Sequence, residues 1–105
     1  MNNKLCIIMT TVNTKEQANA ITSVVLEKRL VACVQIREIE SHYVWNGEVC
    51  NDSEVLIWLK TEERLYSQVE DLLNNIHPYD VPEIICVPVD NVSKGYAEWV
   101  HSSIL

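Results

Sequence analysis

Residues 77–89, HPYDVPEIICVPV, hold all three prolines of the chain, Pro78, Pro82 and Pro88, together with one of its three histidines. His77, Tyr79, Asp80, Glu83 and Cys86 crowd into this one stretch. Imidazole, carboxylate and thiolate are the donor types that hold copper, zinc or nickel. His77 could also serve as an acid or base oriented by Glu83, although no activated nucleophile stands beside them. A structural reading competes with both. His77 would end a helix, Pro78 would stop it, and Pro82 would set the approach to the following strand. Asp80 and Glu83 would then supply local hydrogen bonds. Two prolines lie between His77 and Glu83, so spacing does not fix where the side chains converge and favours the structural reading.

Other chemistries lack their motifs. Gly47 and Gly95 are the only glycines, which argues against a phosphate-cradling loop or a dinucleotide fingerprint. No G-x-S-x-G or H-E-x-x-H occurs. Cys6, Cys33, Cys50 and Cys86 contain no C-x-x-C pair, so a zinc or thioredoxin-like site has no local support. Cys6, Cys33 and Cys86 lie in apolar runs and read as small buried hydrophobes, whereas Cys50 reads as the exposed thiol. The net charge is −7 and the eight Lys and Arg are scattered. Nucleic acid is therefore a poor partner, and cations are a better one. No apolar run approaches the roughly 20 residues that span a bilayer, so no membrane partner is expected. MNNKLCIIMTT lacks a small-residue cleavage site and reads as a first strand, giving a cytoplasmic protein as the expectation.

The elements that must position these side chains follow from periodicity. KLCIIMTTV (4–12) is of strand type. NTKEQANAITSVVLEKRL turns helical, with Thr14 and Gln17 forming a capping box and Ala18, Ile21, Val24 and Val25 on one face. Extended runs at 31–45 and 48–61 flank Asn46-Gly47, the strongest two-residue hairpin signal. EERLYSQVEDLLNNI follows as a helix capped by Thr61, with acidic residues in its first turn. Leu65, Val69, Leu72, Leu73 and Ile76 form its core-facing stripe. EIICVPV is a last strand, and Ser93 opens a short helix with Tyr96, Trp99 and Val100. The order predicts an α+β fold: a ferredoxin-like βαββαβ antiparallel sheet with a C-terminal helix, as one domain over 1–105.

The hairpin can be threaded from its turn. Trp45 faces Glu48, Tyr43 faces Cys50, Ile39 faces Glu54, Gln35 faces Trp58 and Cys33 faces Lys60, unless a bulge near Arg37 shifts the outer half. One face then carries Trp58, Tyr43, Trp45, Leu56 and Ile39 among Arg37, Glu54 and Lys60. Open to water, such a face marks an interface, and strands this long must project beyond the domain. A homo-oligomer is expected, against the alternative of a hairpin curled back on its own sheet.

RLVACVQI, SHYVWNGEV, SEVLIWLKT, HPYDVPEII and GYAEWV resemble, in order and spacing, the CutA divalent-cation tolerance family. The resemblance implies a ferredoxin-like homotrimer, similar in architecture to PII-like signal proteins, that binds divalent cations such as copper. It implies no established reaction. It singles out His77, Glu83 and Cys33 for metal; Tyr43, Trp45, Glu54, Lys60 and Tyr79 for clefts between subunits; and Gly47, Pro78 and Pro82 for structure. The sequence departs from the family pattern at Gln35, where asparagine is common, and at Trp58 in a usually aliphatic run. A second reading makes the protein a signalling or scaffold trimer, with a small molecule in the clefts and Lys60 meeting an anionic group on it.

Overall fold

In the computed structural model, which describes residues 3–105, seven main elements follow one another. They are β1 (Leu5–Val12), α1 (Lys15–Glu27), β2 (Cys33–Trp45), β3 (Glu48–Glu62), α2 (Tyr66–Ile76), β4 (Ile85–Pro88) and α3 (Lys94–Ser103). The sheet runs β2-β3-β1-β4 with every pairing antiparallel. This is the predicted α+β, ferredoxin-like arrangement.

Strand alternation puts Ile8 and Val12 of β1 beside Val55, Ile57 and Leu59 of β3 on one side of the sheet. Ala18, Ile21 and Val25 of α1 and Val69 and Leu73 of α2 cover them, and all are buried. Burial of each large aliphatic side chain stabilises by about 1.5–3 kcal/mol, so this layer carries the domain. Leu5 is out of phase with Ile8 and packs on the other side with Leu65, Val100 and Ile104. α3 thereby closes one end of the second face. The rest of that face stays open, with Trp58 at 38% and Ile85 at 48% exposure.

Thr14 and Gln17 make the predicted capping box. The start of α2 differs from expectation. Thr61 belongs to β3, where it is fully buried, and its hydroxyl donates to the Leu30 carbonyl at 2.7 Å. A buried hydroxyl needs a partner, and on this strand the partner is across the core, so it cannot cap. A 3-10 turn over Glu63–Leu65 intervenes, and α2 begins at Tyr66 without a side-chain cap. Glu62, expected in the first helical turn, ends β3 at 0% exposure, held by Arg64 Nε at 2.7 Å and His101 Nδ1 at 2.9 Å. In the stripe, Leu65, Val69 and Leu73 are buried, Leu72 is half-buried and Ile76 is exposed. The last strand is shorter than EIICVPV, spanning Ile85–Pro88, although the Val89 N–H still donates to the Leu5 carbonyl of β1 at 3.0 Å. Ser93 precedes α3 but makes no side-chain cap bond.

The hairpin pairs residue for residue as threaded, without interruption from Cys33↔Lys60 to Trp45↔Glu48, so no bulge forms near Arg37. Asn46 at φ 51° and Gly47 at φ 79° supply the two left-handed residues of a turn that matches strand twist. β1 stops pairing at Val55, so from Ile39↔Glu54 outward the arm has two strands and no third. The molecule is 46 Å along its longest axis.

Candidate functional site: an acidic cleft at the root of the arm

Pro78 disfavours helical backbone at the residue before it, and His77 accordingly leaves α2 with φ −70° and ψ 137°. Its N–H still closes the helix on the Leu73 carbonyl at 2.8 Å. The ring turns to the end of β1, and Nδ1 accepts the Tyr79 N–H at 3.1 Å. Nε2 lies 2.9 Å from the Thr11 carbonyl and 3.0 Å from the Thr10 hydroxyl oxygen. An amide N–H only donates and a carbonyl only accepts, so Nδ1 is bare and Nε2 carries the proton. Burial lowers the pKa of His77 and agrees with this neutral form. His77 thus fixes Tyr79, whose ring it meets edge-on at 4.9 Å between centroids.

The Tyr79 hydroxyl reaches Glu54 Oε2 at 2.7 Å and Asn13 Oδ1 at 2.8 Å. Its single proton belongs with the carboxylate, the stronger acceptor. Burial first, and then this bond and the charge of Glu54, push the phenol's pKa up. Across the arm the Tyr43 hydroxyl donates to Asp52, and its pKa is pushed up to about 12, chiefly by that bond. Between these two pairs opens a cleft of about 770 Å³. Glu40, Asp52, Glu54, Asp80 and Glu83 line it, with His42 and Trp45, and neither lysine nor arginine does. Glu83 is crowded by protein atoms and by Glu54, and both raise its pKa above the usual carboxylate range. Pro82, half-buried, leads into Glu83, and Pro78 separates the two anchored residues His77 and Tyr79.

The fold therefore gathers Tyr43, Trp45, Glu54, Tyr79 and Glu83 in one cleft, with His77 directly behind Tyr79. It does not gather Cys33 or Lys60. Cys33 faces Lys60 across β2 and β3. Glu54 and Lys60 are six residues apart on β3, roughly 20 Å at ~3.3 Å per residue. Lys60 Nζ instead lies 5.6 Å from the centre of the Tyr96 ring. His77, Glu83 and Cys33 thus do not converge within the chain. Among the described residues no group of three or more His, Cys, Asp or Glu side chains is arranged to hold a metal ion. Gly47 sits at the tip of the arm, away from the root. Cys6 is buried as expected, but Cys33 and Cys86 are only half-buried. Cys50, expected to be exposed, is half-buried too, its thiol 3.9 Å from the Glu48 carbonyl.

Sequence reasoning missed Thr11, Asn13, Glu40 and Asp52. Asn13 looked like a helix leader, and Thr11 like an ordinary strand residue. The register held the signal, because Thr11 pairs with Leu56, two residues from Glu54.

Residues 6–103 match the sequence profile described as CutA1 divalent ion tolerance protein. The divalent-cation tolerance protein CutA of Pyrococcus horikoshii is 38% identical over 96 residues, covering 91% of this chain and 94% of its own. A chloroplastic CutA protein of Arabidopsis thaliana is 37% identical over 98 residues, 92% of this chain and 54% of that one. The solved structure of a CutA protein of Archaeoglobus fulgidus, described as periplasmic, superposes with a TM-score of 0.93 at 29% identity. That match covers 96% of this chain and 99% of the other. Among the described residues no helix is long and apolar enough to cross a membrane.

Proposed function

The chain belongs to the CutA1 divalent ion tolerance protein family, and on that premise we propose that it is a non-catalytic homotrimer that binds a divalent cation such as copper(II). The observation that carries this reading is the acidic cleft, with five carboxylates and neither lysine nor arginine among its lining residues. A cation there is attracted more strongly than at an open surface, because the cleft is partly shielded from water. Glu83 is the proposed first ligand. His77 would hold the cation together with Glu83 through Nδ1, the ring nitrogen that carries no proton. Cys33 lies too far along its own sheet to reach that position, so its proposed contribution comes from a neighbouring subunit. The exposed rings and the unpartnered arm support self-association. A cytoplasmic location remains part of the proposal.

Copper titration calorimetry tests this on the wild type, Glu83→Gln and His77→Ala. The expected result is saturable binding, weakened at least tenfold in Glu83→Gln and weaker at lower pH as the donors take up protons. Unchanged binding in both variants would remove the cleft from the copper site. The second reading, a signalling or scaffold trimer with a small molecule in its clefts, is favoured by the cleft's volume of about 770 Å³, far more than an ion fills.

A further inference from the structure

We propose that α3 is a flap on the sheet, latched by His101 on the buried Glu62 carboxylate and tightened when the imidazole takes up a proton. Glu62 ends β3, on the side of the sheet opposite the arm. Its side chain is 1% exposed, whereas that of His101 is 49% exposed, so water reaches the ring but not the carboxylate. One carboxylate oxygen accepts from Arg64 Nε at 2.7 Å, and the other lies 2.9 Å from His101 Nδ1. Paired with Arg64, the carboxylate is ionised and only accepts, so Nδ1 carries a proton and Nε2 is left to titrate. A neutral ring therefore gives Glu62 a hydrogen bond. A charged ring gives it an ion pair as well, in a site with little water to screen it.

The rest of α3 is weakly held. Ser93 gives its first turn no side-chain cap, and among the described residues of α3 only Val100 is buried, against Ala18, Ile21 and Val25 in α1. Beyond the helix, Ile104 packs with Leu5 and Leu65. The Leu105 N–H donates to the Arg29 carbonyl at 3.0 Å, and Arg64 Nη2 donates to the Leu105 carbonyl. Segments with few buried apolar contacts open at lower cost than the core, and opening here uncovers Leu5 and Leu65. The other charged groups at this end have their own partners. Glu98, one turn back on α3, pairs with Lys94 at 3.8 Å, and Lys4, ahead of β1, pairs with Asp90 at 3.1 Å. Glu63 and Arg29 reach this end through main-chain bonds. Glu62 is thus the anion against which the His101 charge acts.

Hydrogen exchange of the intact protein, read amide by amide and corrected for intrinsic rates, tests this at about pH 8 and about pH 5.5, between which imidazoles titrate. The expected result is that α3 amides are less protected than those of β1 at both pH values. On acidification α3 protection should rise roughly threefold or more. His101→Gln, which keeps a donor but cannot charge, should abolish that rise. His101→Leu should lower α3 protection roughly tenfold at the acid pH and leave β1 unaltered. Burial of neutral His77 weakens the whole fold on acidification, the opposite sign, and so does not imitate the rise. Protection of α3 that equals that of β1, that is indifferent to pH, or that rises equally in His101→Gln would overturn the inference. So would β1 protection that falls in step with α3 in His101→Leu.

Discussion

At the residue scale, His77 spends both ring nitrogens on the chain itself, one on the Tyr79 amide and one on Thr10 and Thr11. Burial lowers its pKa from the ordinary 6.5. As pH falls through that ordinary value, the unfolded chain takes up a proton that the folded ring refuses, so stability falls with it. Urea unfolding at about pH 7.5 and about pH 5.5 should show this loss, reduced in His77→Gln, which cannot charge. His77→Ala leaves the Thr11 carbonyl and Tyr79 amide without this partner and should cost about 2 kcal/mol in the same measurement. Glu83 has the opposite sign. Its raised pKa means that ionisation is resisted in the fold, a penalty present at neutral pH and absent below the ordinary 4.5. Glu83→Gln should therefore raise the neutral-pH urea midpoint slightly, because the side chain is largely exposed and its penalty is screened by water, and leave the acid midpoint unchanged. The sequence made His77 and Glu83 visible as chemistry. It hid Thr11 as a partner, because the contact spans 66 residues and depends on where β1 ends.

At the element scale, the hairpin was legible rung by rung. Asn46-Gly47 leaves one turn geometry compatible with strand twist, and the alternation of Val34, Ile36, Ile57 and Leu59 fixes which face is buried. Gly47→Val forces a β-branched residue to φ 79° and should destabilise by about 1–2 kcal/mol in thermal unfolding. A smaller loss, within about 0.5 kcal/mol, would show that the turn adapts. The start of α2 was illegible for a physical reason. Threonine before acidic residues has the composition of a cap, but Thr61 sits on a buried strand opposite Cys6, and strand pairing decides its partner. Glu62 was misread by the same logic, since its side-chain contact with His101 Nδ1 at 2.9 Å joins β3 to α3 across 39 residues.

At the scale of the whole molecule, two features remain unsatisfied in one chain: the two-stranded arm and the open face around Trp58. Isolated hairpins are marginal in water, and large exposed rings favour association. Sedimentation equilibrium should give a mass three times the 12.1 kDa of the chain. Trp58→Glu, which puts a charge on the face proposed to be covered, should dissociate it. A wild-type monomer at micromolar concentration would contradict the trimer. The charge balance of the chain pointed to cations, and the fold concentrates that charge in one cleft, which no linear reading could locate. Anomalous scattering at the copper edge from copper-soaked crystals tests the central claim most directly. The account predicts a peak in the cleft beside Glu83, whereas copper found only at His101 or another surface side chain would contradict it.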